Sequence, residues 1–113
     1  MLRYLSPLFL LTAFSQPSQK LVRDRIPELV QTGATFHKAS DSEYEGFLRK
    51  KLQEEVDEFL ENPCLEEMAD IVEVLEAYCK EMGTTLDEME KTRQLKAHER
   101  GKFEQKWIMT KTR

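Results

Sequence analysis

The chain has 113 residues, 34% of them charged and 40% hydrophobic, with a formal net charge of −4. That length holds one small domain, and the composition is globular rather than disordered. The acidic balance speaks against a nucleic-acid binder, which presents a basic face.

Residues 1–19 carry an early Arg3, an apolar run from Tyr4 to Phe14 and an Ala13-Phe14-Ser15 pattern at a candidate cleavage position. A short secretory signal, an unstructured leader and a start codon set too far upstream all agree with this pattern. The run is too short to cross a membrane as a helix. The domain is therefore expected over residues 20–113, with 1–19 outside the fold.

From Lys20 to Arg25 the chain alternates in charge and reads as extended or irregular. Pro27 at a first helical position and Gly33 as a stop bracket a short helix from Pro27 to Thr32. Thr35 to Ala39 is a connector or a short strand. Ser40 to Glu43 is a capping box, which opens a long helix over about 41–61. Asn62 caps a second long helix, about 63–82, and Gly83 stops it. Thr85 to Glu88 is a second capping box, opening a third helix over about 85–100. Phe103 to Met109 is expected as a short strand, with Phe103 and Trp107 packed on the helices.

These elements predict an all-α fold, an antiparallel helical bundle of three long helices. On the second helix, residues such as Leu65, Met68, Val72, Val74, Leu75 and Met82 spread over more than half the circumference. Three helices of one chain cannot cover so wide an apolar face, so the bundle is expected to be completed by oligomerisation, as a homodimer or homotetramer. Cys64 and Cys79 lie about 22 Å apart along that helix, too far for a disulfide. Buried thiols in a reducing compartment follow, which makes the cytoplasm the expected location and export through residues 1–19 the alternative.

The chemistry centres on the turn between the first two long helices. Glu55 with Glu58, and Glu67 with Asp70, each stand three residues apart, one turn along one helix face. A short turn brings the two pairs together across an antiparallel hairpin. Tyr44, Phe47, Leu48, Leu52, Val56 and Phe59 define an apolar arc into which Glu55 and Glu58 intrude, while Asp57 and Glu61 point away. Glu67 falls within the apolar face of its own helix, and Asp70 at its margin. Core-facing acids cost several kcal/mol unless they are paired or hold a metal. Oxygen-only ligands select a hard cation, Mg²⁺ or Mn²⁺, and Mg²⁺ commonly bridges to phosphates.

Glu54-Glu55-Val-Asp-Glu58 followed by Glu67-Met-Ala-Asp70 resembles the EExxE…ExxD signature of the MazG-like, all-α nucleoside triphosphate pyrophosphatases. The resemblance extends to Lys20-Leu-Val-Arg-Asp-Arg-Ile-Pro27 and to Glu99-Arg-Gly-Lys-Phe103, covering Lys20 to about Met109. The acid pairs are closer together than in many members, and Lys102 stands where a second glycine is common. The resemblance implies Mg²⁺-dependent cleavage of the α–β phosphoanhydride of a nucleotide to a monophosphate and pyrophosphate, with nucleotide-pool cleaning as a cellular role. It implies Glu55, Glu58, Glu67 and Asp70 as metal ligands and points to Glu54 as the base that orients water. Arg23, Arg25, Lys96, Arg100 and Lys102 flank the acids and are candidates for the leaving pyrophosphate. Phosphoribosyl-ATP pyrophosphohydrolase activity and a non-catalytic helical oligomerisation or regulatory module are the alternatives.

Overall fold

The computed structural model describes residues 18–112, which fold into four helices and no strand. The expectation for the leader thus lies outside the described residues, apart from Ser18 and Gln19. A one-turn helix α1 (Ile26–Leu29) is followed by α2 (Asp41–Glu61), α3 (Leu65–Glu81) and α4 (Leu86–Arg100).

Local chemistry accounts for the ends. Ser40 accepts from the Glu43 backbone N–H and Glu43 accepts from the Ser40 N–H, so the expected capping box opens α2. At α4 only half of the box forms. Thr85 accepts from the Glu88 N–H, but the Glu88 carboxylate accepts from the Thr84 hydroxyl instead. The expected Asn62 cap of α3 is displaced to Cys64, which supplies no side-chain cap bond. Pro63 is the reason: the residue before a proline is driven out of the helical region, and Asn62 takes φ −142°, ψ 79° as the end of α2. The short N-terminal helix stops at Leu29 rather than Thr32, because Val30 is already extended and Gly33, at φ 81°, lies beyond it.

Hairpin direction is read from two contacts. The Tyr78 hydroxyl donates to Glu45 at 3.0 Å near one end, and Glu55 meets Glu67 and Asp70 near the other. Helices α2 and α3 are therefore antiparallel and packed along their length, whereas α4 meets α3 and makes no close backbone approach to α2. The fold is all-helical, and α3 is the helix that both α2 and α4 contact. The apolar core among the described residues is Leu48, Val74 and Cys79.

Within the single chain α3 leaves Leu65, Met68, Val72 and Met82 exposed, and its contacts are with α2 and, less extensively, with α4. One further expectation is corrected. Residues 103–109 form neither a strand nor a packed tail, and Phe103 and Trp107 stand 97% and 87% exposed. Residues 35–39 are likewise irregular. An extended segment persists as a strand only with a ladder partner, and neither segment finds one.

Candidate metal centre

The hairpin sets the site. Glu55 projects from α2 toward α3 and is only 3% exposed, the one acid among the buried described residues. Glu67 and Asp70, a turn apart on α3, are half-buried opposite it. One carboxylate oxygen from each of Glu55, Glu67 and Asp70 falls within 4.8 Å of the others, and Glu67 Oε2 is cut off from solvent. Glu58 is half-buried one turn further along α2 and stands outside this three-residue cluster. Asp57 and Glu61 are exposed, as the helix register requires.

The spacing fits a small divalent cation. At Mg²⁺–oxygen distances of about 2.1 Å, opposite ligands of an octahedron stand about 4.2 Å apart. The observed oxygens, all within 4.8 Å of one another, have separations of that order. The donor set, three carboxylates with no thiol or imidazole, suits a hard cation and no softer one.

Basic side chains surround the acids. Arg23 donates to Asp70 at 2.6 Å. Lys51 lies 3.2 Å from Glu55 and 3.4 Å from Glu54, with 14% of its side chain exposed. Lys20 lies 3.5 Å from Glu54. Glu54 is thereby held between two ammonium groups at the margin of the cluster rather than facing open solvent. Arg23, Arg25, Tyr44, Lys51, Glu55 and Asp70 share the wall of a groove of about 680 Å³ between the segment before α1 and the α2–α3 hairpin. That size lies within the range of small-molecule sites.

Of the five basic residues expected to meet phosphate, the fold brings two to this groove. Arg25 is mostly exposed and pairs with Glu28 at 3.6 Å, yet it shares the groove wall with Arg23. Lys96 and Arg100 on α4, and Lys102 beyond it, are exposed and line no part of the groove. Sequence proximity to the acids therefore does not place these three at the groove. Two cations escaped the sequence reading. Lys51 was legible, being three and four residues before Glu54 and Glu55 and so on their helix face. Lys20 was not, since its partner lies 34 residues away. Compared with known protein families, curated proteins and solved structures, the chain matches none.

Proposed function

We propose that this chain is a divalent-metal-dependent nucleotide pyrophosphohydrolase that cleaves the α–β phosphoanhydride to a nucleoside monophosphate and pyrophosphate. The observation that carries the reading is the convergence of Glu55, Glu67 and Asp70, two of which, Glu55 and Asp70, line one groove with Arg23. The MazG-like resemblance of these same residues supports it. Glu55, Glu67 and Asp70 would hold Mg²⁺ or Mn²⁺, with Glu58 the fourth candidate ligand. The bound cation supplies Lewis-acid polarisation and charge neutralisation at the phosphates.

The chain's own groups do the rest. Arg23 and Arg25 approach from the segment before α1 and suit the oxygens of the leaving pyrophosphate, where a planar guanidinium can donate two bonds at once. Glu54 sits next to Glu55, within 3.5 Å of Lys20 and 3.4 Å of Lys51, and is the group placed to accept a proton from water. Tyr44 lines the groove and is the aromatic residue there that would stack on a base. The protein works as a homodimer or homotetramer in the cytoplasm in this reading, with both cysteines as free thiols. Among the described residues no helix is long and apolar enough to cross a membrane.

A non-catalytic oligomerisation module is the second reading, favoured by the exposed apolar stripe on α3. One assay separates the readings. The protein is incubated with Mg²⁺ and a panel of nucleoside triphosphates plus phosphoribosyl-ATP, and pyrophosphate is measured. Release from one class of nucleotide is expected. Release from phosphoribosyl-ATP alone would reassign the substrate, and release from none by a well-folded oligomer would leave the module.

A further inference from the structure

The acids of the metal centre arrive already matched with cations, and those cations come from outside the acid signature. Lys51 projects from the turn of α2 preceding Glu55 and reaches both Glu54 and Glu55 at 3.4 and 3.2 Å. Arg23 crosses from the segment before α1 to Asp70 at 2.6 Å. A lysine with only 14% of its side chain exposed is uncommon away from an acidic partner. Lys51 and Arg23 thus contact two of the three carboxylates that a divalent cation would use.

We propose that Lys51 and Arg23 are built-in counterions of this site, exchanged for the divalent cation on loading and turned to the phosphates of the substrate. The inference rests on the metal reading above and gives Lys51 and Arg23 a role before the cation binds. The exchange conserves charge, because two monovalent side chains withdraw as one divalent ion enters. Glu55, the most buried acid, is never left uncompensated, and that avoids the large penalty of an isolated buried charge. Both side chains line the same groove as Glu55 and Asp70. Once displaced they remain next to any polyphosphate held there. Arg23 suits bidentate phosphate contact, and Lys51 acts as a compact point charge.

Two simpler roles make different predictions. A lysine that only props up the fold loses stability on removal, with no change in intrinsic metal affinity. One that only binds phosphate weakens nucleotide binding and leaves the metal alone. Exchange predicts a tighter metal and a weaker nucleotide together, since a positive competitor for the carboxylates has gone.

The test is isothermal titration of the full chain with Mg²⁺ alone, then with an α,β-methylene nucleoside triphosphate in saturating Mg²⁺. Wild type, Lys51→Met and Arg23→Gln are compared. The Mg²⁺ dissociation constant is expected to fall about tenfold in each variant, and that of the analogue to rise about tenfold. Without metal, Lys51→Met should melt below wild type, and Mg²⁺ should recover most of the difference. Unchanged or weaker Mg²⁺ binding in the variants, with wild type binding normally, overturns the exchange and leaves the metal site standing. A wild type that gives no Mg²⁺ signal sinks the metal reading and the exchange with it. If Lys51→Met does not fold, Arg23→Gln decides, because that side chain is more than half exposed.

Discussion

At the scale of single residues, burial and charge oppose each other most sharply in the Glu55, Glu67, Asp70 cluster. Three carboxylates with oxygens within 4.8 Å repel one another. Glu67→Gln keeps the shape and removes one negative charge, so the metal-free protein should melt no lower than wild type. The rise in melting temperature caused by Mg²⁺ should disappear, and turnover should fall by more than about a hundredfold, beyond the loss usual for residues that only support a metal ligand. Asp57→Asn is the control: Asp57 is exposed and accepts from Gln53 at 2.8 Å, so neither quantity should move. Equal effects of the two substitutions would displace Glu67 from the site. A second acid reports on pH. Glu45 titrates below the ordinary glutamate range because the Arg49 guanidinium, and then the Tyr78 hydroxyl, donate to its carboxylate. A group with a depressed folded pKa contributes stability above its unfolded value and loses it as pH falls through the folded one. Thermal stability should therefore decline below about pH 4.3, and Glu45→Gln should flatten that decline. An unchanged acid limb would mean the Glu45 contacts do not persist in solution.

At the scale of elements, the end of α3 is held by backbone geometry. Gly83 adopts φ 78°. Its N–H bonds to the Lys80 carbonyl at 3.1 Å, and the Thr84 N–H bonds to the Cys79 carbonyl at 2.8 Å. This double closure satisfies carbonyls that the helix end would otherwise leave open. A Cβ at Gly83 meets nothing within 4 Å, so Gly83→Ala costs only the left-handed backbone, about 1 kcal/mol. Gly46 is equally uncrowded but lies inside α2 with no positive φ. Gly46→Ala should stabilise by about 1 kcal/mol for helix propensity. Urea midpoints shifting in opposite directions with unchanged slopes would show both effects. A Gly83→Ala protein as stable as wild type would mean the α3–α4 turn is not formed as described.

At the scale of the whole molecule, the single chain is too open for its length. Its radius of gyration is 17.9 Å, against about 13 Å for a compact domain of this size. Leu65, Met68 and Val72 recur on one face of α3 with exposures of 80%, 48% and 44%. An exposed apolar stripe of this kind is a candidate surface for association. Self-association is therefore expected at micromolar concentration, and replacing Met68 and Val72 together with Glu should yield a monomer in sedimentation equilibrium. A wild type that sediments as a stable monomer would remove the oligomer from the proposal.

The sequence by itself determined the helices and the register of the acids. Ser40 with Glu43, Pro63 and Gly83 act within a few residues of themselves, and a 3.6-residue period turns spacing directly into faces. That is why Glu55 could be read as core-facing and Asp57 as solvated, and why Lys51 was within reach of the same logic. Only the tertiary structure decided which distant groups join the acids. Arg23 crosses 47 residues of sequence to Asp70, while Lys96 and Arg100 on α4 and Lys102 beyond it do not line the groove. It also decided that the backbone of α4 approaches α3 and not α2, and that Phe103 and Trp107 stay exposed. Contacts across the chain depend on helix directions and packing angles, which no local pattern encodes.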